Sequence, residues 1–299
     1  MTVDLSKLEP PDLVEALDFD TLLAERKEAL IALYPADEQD AIRLTLQLES
    51  EPLVRMLREN TYRELILRQR INEAARATML AFATGADLDN RAADYGVERL
   101  LIASANLDAV PPVPAVWEDD DRLRYRCQLS LEGLTVAGSR GAYLFHTMTA
   151  SANVLHAKVI RPEPGLIRVY IMDRRSNGTP DQALLDTVAS YLSAEDRIPL
   201  CDTVEAAAGQ PKAFAITAEI EFKDGALTAG GGLDAARLRL DAMLAEQRRL
   251  GESVPRSLID ATLHAADVKR VTLLLPAADI DCADGEFPDC TAITLSAAP

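Results

Sequence analysis

The chain has 299 residues, a length that accommodates two or three domains, and its apolar fraction of 48% is sufficient for hydrophobic cores. Its net charge of −17 argues against a nucleic-acid-binding surface, because a protein of this sign repels phosphate. Solubility alone explains the acidity at least as well as an acidic docking face does.

Targeting and metal-binding patterns are not found in the sequence. The first seven residues lack the basic and apolar regions of a secretory signal, and no run of 18 apolar residues occurs, so we expect neither secretion nor membrane insertion. The four cysteines form no C-x-x-C pair, which predicts reduced thiols and no zinc site. A bridge between Cys282 and Cys290 stays open as an alternative.

The first hundred residues show helical periodicity. Apolar residues at near-helical intervals predict a helix from Asp18 to Leu33, ended by Pro35. A longer helical pattern runs from Asp37 to Phe82 and is divided by Pro52. Beyond that proline an apolar stripe has spacings typical of helix packing, and its members are Leu53, Leu57, Leu67, Ile71, Ala74 and Thr78. The stripe serves either its own domain's core or a bundle between subunits.

A corner is predicted where this pattern ends. Thr84-Gly85 would end the long helix, since glycine accepts the left-handed backbone of a helix exit. Asp87 and Asp89 would cap the next helix, which Gly96 would stop. Further on, residues 109–114 read Ala-Val-Pro-Pro-Val-Pro, which cannot continue a helix and favours polyproline II. We expect a semi-rigid strut there, or else a segment that only packs on one domain's surface.

The remaining sequence alternates between helices and strands. The acidic run Glu118–Asp121 is predicted to begin a helix that extends to about Leu129, and Ser139 to cap a second helix. The further predicted helices are Ala142–Ala150, Gln182–Leu192, Leu233–Leu250 and Arg256–Ala266. The predicted strands are Val154–Ile160, Leu166–Met172, Val204–Ala208, Ala213–Phe222 and Val268–Leu275. The tail from Pro276 is left unassigned.

These elements predict an α+β chain in which a helical N-terminal region is followed by mixed α+β domains with small sheets. We expect an N-terminal helical, bundle-forming region at 1–106 and a Pro-rich linker at 107–117. A central α+β domain at 118–202 and a C-terminal α+β domain at 203–299 follow.

No pattern of catalytic chemistry is found. The three histidines, His146, His156 and His264, lie on different predicted elements and lack metal-ligand spacing. Asp119–Asp121 are explained by an acidic first turn, and the glycines at 230–232 lack the Gly-Lys-Ser/Thr ending of a phosphate loop. We therefore expect no catalytic, cofactor-binding or metal-ligating residues. A small-molecule enzyme whose site assembles from scattered acids and arginines stays open as the alternative.

Several segments, in order along the chain, resemble the baseplate J family of wedge proteins from contractile phage tails and related bacteriocins. They are Ala83–Arg99, Trp117–Arg122, Leu129–Tyr143, Phe145-His146, Ala150–Ala152, Leu192–Asp202 and Val254–Ser257. Each segment alone also fits ordinary turn or cap chemistry, and the order and spacing of the set make the resemblance specific.

The resemblance implies a structural protein without cofactor, made in the bacterial cytoplasm and located in the baseplate of a virion tail or tail-like particle. Two copies would join another baseplate wedge protein in each wedge, through a bundle of N-terminal helices. Six wedges would surround the tail hub, contact sheath-proximal baseplate proteins and rearrange on contraction. A related contractile injection apparatus is the alternative setting. The resemblance implies no nucleic-acid partner.

Overall fold

A computed structural model describes residues 5–9, 18–135, 137–223 and 232–298. Contacts divide the chain into two compact units, Met1–Glu98 and Arg99–Pro299. The glycine run noted above lies largely outside the described residues, since Gly232 alone of its three members is included.

The first unit is helical. After a 3₁₀ turn at Leu5–Lys7 come α1 (Phe19–Ile31), α2 (Gln39–Thr45), α3 (Pro52–Ala77) and α4 (Gly85–Ala93). Asp18 caps α1 by accepting hydrogen bonds from the backbone N–H groups of Asp20 and Thr21, and Pro52 takes the first turn of α3, where no N–H is needed. The predicted helices and the break at Pro52 are confirmed.

Two details of the predicted corner are wrong. The helix α3 ends at Ala77, where the Thr78 hydroxyl donates to the carbonyl of Ala75 and competes with the helical pattern. Gly85, with φ of +53°, begins α4 instead of ending α3, and the cap position is Thr84, with Asp87 and Asp89 inside the helix. The stop at Gly96 is confirmed, since its φ is +66°.

The second unit opens with a hairpin. β1 (Leu101–Ala103) pairs antiparallel with β2 (Val116–Trp117), and Asn106 and Val113 exchange two backbone hydrogen bonds of 2.9 Å. The Pro-rich segment therefore turns back on itself, and the predicted extended strut is wrong. Polyproline II and β backbones have similar dihedral angles, so composition did not distinguish a strut from a hairpin tip.

Next comes the central lobe, residues 120–208. Its elements are α5 (Asp120–Leu129), a 3₁₀ turn at Glu132–Leu134, α6 (Arg140–Ala150), β3 (Val154–Glu163), β4 (Leu166–Asp173), α7 (Gln182–Leu192) and β5 (Thr203–Ala208). The sheet order is β3-β4-β5, with β4 antiparallel to β3 and parallel to β5. The helices α6 and α7 cover this sheet around a core that includes Tyr143, Val169 and Val188. Ser139 caps α6 as predicted, accepting from the Ala142 N–H at 3.1 Å.

The C-terminal lobe, residues 210–297, completes the unit. Its elements are β6 (Gln210–Phe222), α8 (Gly232–Gln247), α9 (Arg256–Leu263), β7 (Val268–Leu275) and β8 (Glu286–Ala297). The sheet order is β7-β6-β8, with β6 antiparallel to β7 and parallel to β8. The predicted alternation in β6 is confirmed, because Phe214, Ile216, Ala218 and Ile220 are buried. The strand β8 lies in the tail that the sequence left unassigned; it is an edge strand, where Pro288 is tolerated. The α+β class is confirmed.

Candidate interaction surfaces

The apolar stripe of α3 faces solvent within the first unit. The exposed fractions of Leu67 and Ile71 are 61% and 56%, Leu53 is also exposed, and so are Ala74 and Thr78. The sixth predicted interface residue differs, because Leu57 is half-buried. It packs on the small cluster formed by Ile31, Leu46 and Val54.

Other residues of α3 hold the unit together. Val54 and Thr61 are buried, and the Glu64 carboxylate accepts from Arg26 of α1 and from Arg68, the latter at 2.7 Å. At about 100° per residue, the stripe lies roughly 120° around the helix from Val54 and Thr61. The unit's own core therefore uses Leu57 and leaves the other five members of the stripe exposed.

Sequence reasoning missed one member of this surface. Met56 is 62% exposed and follows Leu53 by three residues, so it lies on the same side of the helix. The interval of three residues from Leu53 to Met56 could have indicated this in the sequence. From Leu67 onward the intervals of four, three and four residues are those of a helix that packs against another helix along its length.

A buried ion network, also missed, joins the hairpin to the central lobe. The Glu118 carboxylate is fully buried and accepts from Arg122 Nη1 and Arg126 Nη1, both at 2.7 Å, and from the Leu100 N–H at 3.0 Å. Arg99 adds hydrogen bonds to the Glu118 carbonyl at 2.6 Å and to Asp120 at 2.7 Å. The spacing of four residues puts Arg122 and Arg126 on one face of α5, and Glu118, two residues before the helix, could have been recognised as their partner.

The network also reaches the end of α6. Arg122 Nη2 donates to the carbonyls of Met148 at 2.7 Å and Ser151 at 3.0 Å, where the helix dipole is negative. Burial lowers the pKa of Arg122 to about 10, against the opposing effect of Glu118, so the guanidinium stays charged at neutral pH. One carboxylate thus fastens the hairpin, α5 and α6 together.

The acidic run after Glu118 has separate structural roles. Asp119 caps α5 by accepting from the Arg122 N–H at 2.8 Å, and Asp121 pairs with Arg124 at 2.7 Å. Across the part of the chain that the structure describes, no group of three or more His, Cys, Asp or Glu side chains is arranged to hold a metal ion.

The histidines are separate from one another. The Nδ1 atom of His156 accepts from the Leu250 N–H at 3.2 Å, and burial lowers the pKa of this imidazole to about 4, aided by Arg249 and Lys158. Burial also lowers the pKa of His146, whose ring contacts Phe145 edge-on. His264 ends α9.

Two further features are the thiols of Cys282 and Cys290 and a groove beside α8. Cys282 and Cys290 are free thiols, and burial raises the pKa of both. A groove of about 200 Å³ lies between α8 and β8, and its two arginines are paired with carboxylates. These pairs are Arg237–Asp241 at 2.8 Å and Arg248–Asp289 at 3.1 Å.

Comparison with known proteins decides the family. Three descriptions match in sequence order: a Baseplate J-like N-terminal domain at residues 49–106, a Baseplate J-like central domain at 135–208 and a Baseplate J-like protein C-terminal domain at 214–296. "Baseplate protein J" of Escherichia phage P2 is 44% identical over 289 residues, which cover 97% of this chain and 95% of that protein. The chain belongs to the baseplate J family. It is a structural baseplate subunit of a contractile tail.

A solved baseplate also shows similarity to this baseplate J family member. A chain of the cryo-EM structure of the anti-feeding prophage baseplate, 6-fold symmetrised, matches with a TM-score of 0.36 and 17% identity. The match covers 61% of this chain and 44% of that chain.

The family's domains map onto the surfaces described above. The α3 stripe lies inside the N-terminal baseplate J match, and Glu118, Arg122 and Arg126 lie between the N-terminal and central matches. Among the described residues, no helix combines the length and the apolar character that crossing a bilayer requires.

Proposed function

We propose that this baseplate J protein is a wedge subunit whose α3 stripe packs into a helical bundle with a second copy and another wedge protein. One observation carries the proposal: Leu53, Leu67, Ile71 and Ala74 of α3, with Thr78 directly after it, are exposed in the unit. Several exposed apolar side chains along one helix are typical of an interaction site.

The energetics favour a helical partner. Full burial of a leucine or isoleucine side chain is worth about 1.5–3 kcal/mol, so the stripe offers a substantial gain on assembly. Ala74 is small and allows a second helix to approach closely. The first unit has a small core around Val54, so a partner helix would add to its apolar burial.

In this proposal the work of the protein is mechanical and involves no catalysis or cofactor. The subunit is made in the bacterial cytoplasm and taken into the baseplate of a tail or tail-like particle. There it contacts the tail hub and sheath-proximal baseplate proteins. On contraction it exchanges one packing for another, as interfaces with two stable arrangements allow.

The domain limits are part of the proposal. The two α+β domains at 118–202 and 203–299 are supported by two separate hydrophobic clusters in the second unit. One cluster surrounds Val169 and the other surrounds Ile216. The helical region at 1–106 and the Pro-rich connection at 107–117 meet inside the hairpin of β1 and β2.

The test replaces two stripe residues with acids. Leu67→Asp together with Ile71→Asp would bury unpaired charge in the bundle, which costs several kcal/mol, so we expect co-purification with the wedge partner to be lost. Both residues are exposed in the unit, so circular dichroism should show an intact fold.

The matched control lies on the same helix. Tyr62 and Ile66 are exposed apolar residues of α3 outside the stripe, and Tyr62→Asp with Ile66→Asp should leave wedge complexes intact. Co-purification of the Leu67/Ile71 variant with the wedge partner at the level of the unchanged protein would contradict the bundle proposal. Loss of complexes from both pairs would show that the stripe is not the specific interface.

A further inference from the structure

The hairpin at the start of the second unit, residues 101–117, which we call the arm, exposes an unusual amount of apolar surface. Val110 is 98% exposed, Leu107 77% and Trp117 53%. The other exposed large apolar side chains of the arm are Leu101, Val113 and Val116. A concentration of exposed apolar side chains in so short a segment indicates a contact site, since scattered single residues are the usual case.

The arm has little internal stability of its own. Its strands contain three and two residues, and the Asn106–Val113 pair is the further backbone link between its two sides. An isolated two-stranded hairpin is marginal in water. The firm attachment is at the base, where Glu118 holds Arg122, Arg126 and the Leu100 N–H. The base therefore fixes the direction of the arm, while its apolar tip projects into solvent.

The prolines determine how the tip is recognised. Pro111, Pro112 and Pro114 have no N–H donor, so this side of the arm cannot add a neighbouring strand through a regular ladder. On this side recognition comes from the side chains, which fit an apolar groove. Leu107 and Val110 are the most exposed of them.

The charge of the arm and of the whole chain limits which kind of partner can bind the arm. Between Leu101 and Trp117 the only ionisable residue is Asp108, in a chain whose net charge is −17. The arm has no lysine or arginine for phosphate or for anionic lipid headgroups. A second copy would bring another −17 charges with no cation in the arm to offset them. A neutral or basic protein surface fits this charge pattern best.

We infer that the arm seats its tip in an apolar groove on a neutral or basic baseplate protein other than a copy of this chain. The inference rests on the proposed function for the existence of such partners. It adds a second contact, separate from α3, that uses Leu107 and Val110.

The arm carries its own reporter, because Trp117 is the single tryptophan of the chain. The full-length protein is titrated with each of the other baseplate proteins of the same particle, purified singly, with affinity measured by calorimetry. Where the partner lacks tryptophan, a seated arm should blue-shift Trp117 emission and reduce its quenching by acrylamide. Leu107→Ser with Val110→Ser should weaken binding about tenfold or more. Leu200→Ser, at a residue that is 105% exposed in the same unit, is the matched control and should bind as the unchanged protein does.

Several results would overturn the inference. Equal affinity of the Leu107/Val110 variant would show that the arm is not the contact. If the protein self-associates and this variant abolishes that, the partner of the arm is a second copy of the chain. If the arm binds phosphatidylethanolamine–phosphatidylglycerol vesicles, its partner is a membrane. If the unchanged chain binds no baseplate protein, the proposed function itself fails. If the unchanged chain binds one and the Leu107/Val110 variant binds it with the same affinity, this inference alone fails.

Discussion

At the scale of single residues, the most consequential side chain is Glu118. The sequence indicated an acidic helix start, and for Asp119 that prediction holds, since it caps α5. Glu118 has a different role because its carboxylate is buried and forms ion pairs with two arginines. Sequence cannot show which member of an acidic run points inward, because burial depends on the hairpin and α6 that pack over it.

Replacing Glu118 with glutamine tests the network. The change keeps the side-chain shape and removes the charge, so Arg122 and Arg126 would be left buried without their carboxylate. Breaking one partner of a buried ion pair costs about 3 kcal/mol or more. We expect a lower urea midpoint with unchanged slope. Asp121→Asn is the control, because the Asp121 side chain is 96% exposed and its pair with Arg124 contributes little. Equal midpoints for both variants would contradict the assigned role of Glu118.

His156 predicts a pH dependence of stability. Burial lowers its pKa to about 4 from the ordinary value of 6.5, so the folded protein keeps this imidazole neutral while the unfolded chain takes up a proton below pH 6.5. The stability that His156 contributes is therefore full above pH 6.5 and declines as the pH falls toward 4. Between pH 7 and pH 5 the loss should be about 2 kcal/mol.

The measurement is urea unfolding at pH 7 and pH 5, with His156→Gln for comparison. Carboxylate titration affects both proteins alike, so the difference between them isolates the histidine. His156→Gln should lose less stability on acidification than the unchanged protein. The same loss in both would mean that the Leu250 N–H bond does not depend on a neutral imidazole.

At the scale of helices and strands, the sequence predicted well wherever a local rule determines the structure. The start of α1 next to Asp18, the Ser139 cap, the break at Pro52 and the alternation in β6 were visible because they depend on neighbouring residues alone. The hairpin and β8 were not, because each depends on a partner strand. β8 pairs with β6, which lies more than sixty residues earlier in the chain.

A single cap tests the local rule quantitatively. The Ser139 hydroxyl satisfies the Ala142 N–H at the start of α6, so Ser139→Ala should lower the free energy of unfolding by about 1 kcal/mol. Ser193→Ala is the matched control. The Ser193 hydroxyl donates to the Ala189 carbonyl at the C-terminal end of α7, so its removal leaves no N–H group without an acceptor. The two are compared by urea unfolding. A smaller effect at Ser139 than at Ser193 would show that the cap is not what starts α6.

At the scale of the whole molecule, the stripe of α3 was predictable because its spacing is a property of one helix. The way the central lobe meets the C-terminal lobe was not, since no periodicity specifies which surfaces of two domains pair. The structure shows a third cluster at this junction, formed by Met172, Leu250 and Phe287, with Tyr170 beside it. Polar contacts join the same surfaces, including Lys158–Asp284 at 2.8 Å and the His156–Leu250 bond.

The junction implies that the two lobes unfold together. Phe287 is fully buried and packs on Met172 of the other lobe, so Phe287→Ala should cost about 3–5 kcal/mol by opening a cavity between the lobes. Calorimetry of the full chain should then resolve separate transitions for the lobes where the unchanged protein shows a shared one. Phe214→Ala is the comparison, because Phe214 belongs to the core of the C-terminal lobe alone. It should lower the shared transition without separating it. If Phe287→Ala only lowers a transition that stays single, the junction does not depend on this cluster.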